Sequence, residues 1–121
     1  MPCDMENTVL IVDDHAEFRA SARALLEADG YVVAGEAADG AEGLAMAASL
    51  RPAIVLLDIA LPDTDGFAVA SELAAGTHPP AVILVSSRER GAYGRRIDRA
   101  PVRGFVPKRA LSGAAIGALL G

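Results

Sequence analysis

Ala53-Ile54-Val55-Leu56-Leu57-Asp58 is the stretch that decides the fold of this chain. Five apolar residues in a row stop at a carboxylate. A run that is apolar at every position has no polar face to show to water, so it suits a central strand of a parallel sheet covered on both sides. Working outward, shorter versions of the same signal recur. Thr8 to Val12 is apolar, rich in β-branched residues, and stops at Asp13-Asp14. Ala81 to Val85 stops at Ser86-Ser87. Tyr31 to Ala37 and Val102 to Val106 read as two further strands.

The intervals carry helical spacing. Phe18, Ala22, Leu25 and Leu26 fall at i, i+4, i+7 and i+8, which predicts an amphipathic helix over 16–29, ended by Asp29-Gly30. Ala41, Leu44, Ala45 and Ala48 form a second face, closed by Pro52. A third helix is expected from the Pro62–Gly66 loop to about Ala75, and a closing one over 110–120. Residues 89–99 read weakly, because Gly91 and Gly94 each cost a helix ~1 kcal/mol relative to Ala. A short or mobile fourth helix is expected there.

Five strands alternating with helices predict a three-layer α/β sandwich with right-handed crossovers. The 121 residues suit one domain over 1–121, with about residues 1–7 as a loose N-terminal segment. No apolar run approaches the ~18 residues of a membrane span. The acidic opening Met1–Glu6 lacks the apolar core of a secretory signal. One cysteine, Cys3, and two histidines offer neither an internal disulfide nor a zinc cluster. A cytoplasmic protein is expected. Residues 1–75 hold 14 acids against Arg19, Arg23 and Arg51, giving −11, while 76–121 hold two acids against eight bases, giving +6. The net charge of −5 disfavours direct nucleic-acid binding; the basic third could form a patch for an acidic partner.

In open α/β sheets, sites form at the carboxyl ends of the strands. Asp13 and Asp14 follow the first strand, Asp58 ends the third, Ser86 follows the fourth, and Lys108 follows the fifth. All should meet on one edge. Lys108 is also the only Lys among 11 basic residues. Compositional drift would leave such a straggler. The alternative is a site that needs a compact ammonium rather than a planar guanidinium. Gathered carboxylates need a cation, and hard oxygen ligands suit Mg²⁺. A carboxylate beside Mg²⁺ can attack phosphorus to give an aspartyl phosphate, and Asp58 is the natural nucleophile.

These residues resemble the receiver domains of two-component response regulators. The resemblance runs over nearly the whole chain, through Asp13-Asp14, Leu56-Leu57-Asp58-Ile59-Ala60-Leu61-Pro62-Asp63-Thr64-Asp65-Gly66, Val85-Ser86-Ser87 and Gly104-Phe105-Val106-Pro107-Lys108. It implies a flavodoxin-like (βα)5 fold with strand order 2-1-3-4-5. It also implies that Asp58 accepts a phosphoryl group from a sensor histidine kinase or a histidine phosphotransfer protein. Asp13, Asp14, Asp58 and the backbone carbonyl of Ala60 would hold Mg²⁺. Ser86 and Lys108 would contact the phosphoryl group, and Phe105 would swing inward as Ser86 moves. The product would be a conformation of the surface formed by the fourth helix, fifth strand and fifth helix, open to a downstream protein or a second copy. Catalysis would be limited to the chain's own phosphorylation and dephosphorylation.

Three positions depart from the common receiver pattern. Arg109 stands where Pro often follows the Lys, Ser86 where Thr is commoner, and Phe105 where Tyr is frequent. Two other functions compete. An aspartate-nucleophile phosphatase resembling the haloacid dehalogenases would need an acid two residues after Asp58, where Ala60 stands. A phosphorylation-independent binding module usually goes with loss of the acids or the Lys, and all are present here. Among the remaining residues, Asp63 and Asp65 read as turn or cap residues and His15 as a helix-start residue on the site rim. Tyr93 reads as surface packing or a partner contact, and Arg88 as a residue near enough to affect water access to the phosphoryl group. The likeness is strongest to receivers that precede LuxR-type DNA-binding domains. Stand-alone function is the expectation, since Ala118-Leu119-Leu120-Gly121 begins no linker.

Overall fold

The computed structural model describes residues 7–120. Cys3 and the expected loose segment as far as Glu6 lie outside the described residues. The strands are β1 (Thr8–Val12), β2 (Val32–Ala37), β3 (Ile54–Asp58), β4 (Ala81–Ser86) and β5 (Gly104–Pro107). They alternate with helices α1 (Ala16–Ala28), α2 (Gly40–Leu50), α3 (Gly66–Ala74), α4 (Arg96–Arg99) and α5 (Gly113–Leu120). The sheet is parallel throughout, in the order β2-β1-β3-β4-β5. β3 is therefore central, as its unbroken apolar run requires, and all five of its residues are buried.

Strand side chains alternate between faces. Leu10, Val12, Val55, Leu57, Val82 and Leu84 pack on one face with Ala47 of α2 and with Val69, Ala70 and Leu73 of α3. Val9, Ile11, Ile54, Leu56, Ile83 and Val85 pack on the other with Ala22 and Leu26 of α1 and Ile116 of α5. Two aliphatic layers result, which a chain with 4% aromatics can fill only with small branched side chains. Among the described residues no helix is long and apolar enough to cross a membrane.

Local chemistry sets the boundaries. The Asp39 side chain caps α2 by accepting from the Glu42 amide at 2.8 Å, and the Glu42 side chain accepts from the Ala38 amide, one residue before the cap, at 2.7 Å. Asp65 caps α3 by accepting from Ala68 N at 2.9 Å. The weak fourth helix is short, as its glycines suggested. Arg90–Tyr93 form a 3₁₀ turn, Gly94 adopts φ +57°, and α4 itself is a single turn. The last helix starts three residues later than its periodicity suggested. Lys108–Ala110 form a 3₁₀ turn first, and the Ser112 hydroxyl then accepts from Ala115 N at 2.9 Å.

Candidate functional site

Strand parity decides which groups meet. Asp13 continues the alternation of Val9 and Ile11, Asp58 that of Ile54 and Leu56, and Lys108 follows Val106, all on the α1/α5 face. Lys108 Nζ accordingly lies 2.7 Å from Asp13 Oδ2 and 3.3 Å from Asp58 Oδ2. Asp13 and Asp58 are buried, and Lys108 is largely so. Phe18, on the first turns of α1, caps the ammonium from outside, its ring centroid 4.6 Å from Nζ. Phe18 was legible only as part of a helical face; nothing in its spacing signals the cation beneath it.

Asp14 is more exposed, and His15 bridges the pair, its Nδ1 3.1 Å from Asp13 Oδ1 and 3.2 Å from Asp14 Oδ1. His15 occupies the cap position of α1 and its side chain is 66% exposed, so it lies on the rim as expected. Arg19 adds a tether that the sequence did not reveal. Its guanidinium donates to the Asp13 carbonyl at 2.7 Å and to Glu36 at 3.2 Å. The chain end of β1 is thus tied to β2. Arg23 and then Arg19 hold the Glu36 carboxyl below the ordinary carboxylate range.

The loop after β3 is shaped by one close approach. A Cβ on Gly66 would lie 2.6 Å from the Asp58 carbonyl oxygen, so only Gly fits there. The Gly66 amide donates to the Ile59 carbonyl at 2.7 Å, and Ala60 bridges Asp65, which closes residues 59–65 into a tight loop. Within that loop the Ala60 amide donates to Asp58 Oδ1 at 3.1 Å. Asp63, read as a turn or cap residue, caps α2 from a distance. It accepts from the Gly40 and Ala41 amides at 2.8 and 2.9 Å, which hold its pKa down.

Electrostatics at the edge are unbalanced. Burial raises the Asp58 pKa, the charge of Asp13 raises it further, and Lys108 opposes both without cancelling them. For Lys108, burial pulls downward, but contacts with Asp13 and Asp58 outweigh it and the net shift is upward. Asp13 Oδ2 is buried with no hydrogen bond of acceptable geometry, although Nζ is only 2.7 Å away. Ligand atoms of Asp13, Asp14, His15 and Asp58 all lie within 4.8 Å of one another. Three carboxylates, one ammonium and an undersatisfied buried oxygen fit a hard divalent cation with oxygen ligands.

Ser86 has the opposite parity. It follows Val82 and Leu84 on the α2/α3 face. There its hydroxyl bonds to the Tyr93 phenol and accepts from Arg88 N at 3.0 Å. Tyr93 and Phe105 rings stand 6.0 Å apart, and Tyr93 and Phe67 rings also 6.0 Å. Tyr93 is half-buried, packed between Phe67 and Phe105 and bonded to Ser86. A seven-residue separation across a broken helix gave no periodic signal for this bond. Arg109, in place of the common Pro, reaches Glu89 through Nε at 2.9 Å and a terminal nitrogen at 2.7 Å. The loop after Lys108 is thereby linked to the segment before α4. Asp13, Asp14, Asp58 and Lys108 come together as the sequence predicts; Ser86 and Phe105 adjoin them from the other face of the sheet.

The family model described as response regulator receiver domain matches residues 9–117. The chain is similar to BvgA of Bordetella pertussis, named for transcriptional control of virulence factors. Identity is 36% over 104 residues, or 86% of this chain and 50% of that protein. It is 48% identical over 85 residues to a protein-glutamate methylesterase/protein-glutamine glutaminase of Anaeromyxobacter dehalogenans, covering 69% of this chain and 24% of that one. Among solved structures, the signal receiver domain of a modulated diguanylate cyclase from Desulfovibrio desulfuricans G20 is similar with a TM-score of 0.80 and 32% identity. That match covers 93% of this chain and 89% of that one. The chain spans about half the length of the first curated relatives it matches.

Proposed function

The chain belongs to the response regulator receiver family, and from that premise we propose that it is a phosphoacceptor switch whose acceptor is Asp58. It forms one receiver unit that takes a phosphoryl group from a phosphohistidine on a sensor kinase or phosphotransfer protein. The observation that carries the reading is the 3.3 Å approach of Lys108 Nζ to Asp58 Oδ2, at a central strand end beside two further carboxylates.

In the transfer, an Asp58 carboxylate oxygen forms a bond to phosphorus. The phosphorus–nitrogen bond breaks and its electron pair stays on the imidazole. Phosphoryl transfer depends mainly on positioning and on neutralising the equatorial oxygens. Lys108 supplies one positive charge already in place, held by Asp13. Asp13, Asp14, Asp58 and the Ala60 carbonyl would hold Mg²⁺. When bound, that ion supplies charge neutralisation at the phosphoryl oxygens. Ser86 donates a hydrogen bond to another oxygen after leaving its present partner. Return to the resting state is hydrolysis: water attacks phosphorus, the bond to the Asp58 oxygen breaks, and inorganic phosphate leaves. The output is a population shift of the α4–β5–α5 surface, offered to a protein partner, not a chemical product.

Incubation with acetyl phosphate and Mg²⁺ should add the mass of one phosphoryl group to the intact chain, and Asp58→Asn should add none. Wild-type protein left unmodified under saturating donor would sink the reading.

A further inference from the structure

Ser86 faces away from the acceptor, and two contacts hold its hydroxyl there, the Arg88 amide and the Tyr93 phenol, of which the phenol is the only side-chain partner. A hydroxyl has one proton and two lone pairs. One lone pair takes the Arg88 amide at 3.0 Å, and the side turned toward α4 takes Tyr93. Whichever of the two hydroxyls donates, swinging Oγ toward Asp58 breaks the Tyr93 bond. Phe105, on the neighbouring strand, has no hydroxyl to replace it. The other tyrosine, Tyr31, lies at the opposite end of the fold, with its hydroxyl 3.5 Å from the Gly113 carbonyl.

Tyr93 also sits where release would matter. It ends a 3₁₀ turn between Gly91 and Gly94, and Gly94 carries φ +57°. An added Cβ at either glycine would meet nothing within 4 Å. The backbone on both sides of Tyr93 is therefore unconstrained by packing. Between Ser87 and Arg96 every other residue is exposed. The Tyr93 ring, wedged between Phe67 and Phe105, is the inward anchor of this stretch.

We propose that Tyr93 is a positioning residue that latches the Ser86 hydroxyl in its resting orientation and couples the phosphoryl site to residues 89–99. This rests on the phosphoacceptor reading of Asp58. Phosphorylation draws Ser86 toward the phosphoryl oxygens, the Ser86–Tyr93 bond breaks, and the 3₁₀ turn and α4 are freed to repack. The latch sits on the broken helix, so the aromatic switch of this chain has two members: Tyr93 holds and Phe105 fills.

The composition provides its own probe. There is no Trp and there are two Tyr, so Tyr31→Phe leaves Tyr93 as the sole emitter. In that background, Ser86→Ala should change tyrosine emission without any donor, whereas Ser86→Thr, which keeps the hydroxyl, should not. Acetyl phosphate with Mg²⁺ should then shift the Ser86-containing protein as Ser86→Ala does. Separately, Tyr93→Phe keeps the ring and removes the bond. It should take up phosphoryl groups ~5-fold faster, the scale of one neutral hydrogen bond.

Emission indifferent to Ser86→Ala would show that there is no latch. A phosphoryl group gained by mass with emission unchanged, or with Tyr93→Phe loading at the wild-type rate, would overturn the coupling. Absence of any phosphoryl gain would instead overturn the phosphoacceptor reading and the release step with it. The Ser86→Ala arm still decides whether the bond exists.

Discussion

β3 and the segment from Ser87 to Arg103 flank the same site and are built in opposite ways. Every residue of β3 is buried and the strand is paired on both sides, by β1 and by β4. From Ser87 to Arg103 only Ile97 is buried. That stretch is held by the Ser86–Tyr93 bond, by Arg109 on Glu89, by Arg90 on Asp98, by Arg96 over the Phe67 ring at 4.2 Å and near Asp65, and at its end by Arg103 on the Val82 and Leu120 carbonyls. Exposed ion pairs of this kind contribute ~0–1 kcal/mol each. The contrast assigns two jobs. On the phosphoacceptor reading, Asp58 and Asp13 have to stand still, and they stand at the ends of the two well-packed inner strands, β3 and β1. A surface that reports on a modified group has to change state for a few kcal/mol, so it is held by few and weak contacts.

The largest effect that would sharpen this contrast is at Lys108. Removing one partner of a buried charge group costs ~3–5 kcal/mol, so Lys108→Ala should lower the Tm strongly at neutral pH. Added Mg²⁺ should recover part of the loss by replacing the missing charge. Lys108→Arg should keep most of the stability and still impair phosphoryl acceptance, because a planar guanidinium cannot reproduce a point charge in this space. An Arg variant that is phosphorylated as well as wild type would return the lone lysine to compositional drift.

Next in size is a matched pair in the two regions. Ile83 and Ile97 are both buried, at 0% and 3% exposure. Truncation of such a residue to Ala costs ~2–5 kcal/mol, depending on how far the surroundings relax. Ile83→Ala, in the centre of the sheet, should fall near the top of that range by denaturant titration. Ile97→Ala should fall near the bottom, since a single-turn helix with exposed flanks can collapse onto the gap. Equal losses would break the comparison.

The smallest effect concerns pH. Asp58 is raised by burial and by Asp13, so the folded chain binds a proton there at higher pH than the unfolded chain does. For this group, stability falls as pH rises through the folded pKa. Asp58→Asn should therefore unfold at higher temperature than wild type at neutral pH. The advantage should shrink as pH falls through the folded pKa and vanish below the ordinary carboxylate range. A constant advantage at every pH would place the effect elsewhere.

Much of the site was legible because strand ends and parity are local signals. Val12-Asp13, Leu57-Asp58 and Pro107-Lys108 each mark where a strand stops, and a parallel sheet brings such ends together. What escaped the sequence depends on tertiary placement. Asp63 caps α2 from 23 residues away, Arg19 binds the Asp13 carbonyl, and Phe18 covers Lys108. Tyr93 escaped for another reason. Its partner Ser86 lies across a Gly-broken turn, where neither period 2 nor period 3.6 applies. The same glycines correctly foretold a short α4.

Amide hydrogen exchange read with and without acetyl phosphate and Mg²⁺ tests the central claim most directly. Phosphorylated protein should show altered exchange over residues 88–99 and in β5, with β1 and β3 as protected as before. Exchange that changes equally across the sheet, or not at all over 88–99 while the phosphoryl group is present by mass, would contradict a fixed site coupled to a loosely held segment.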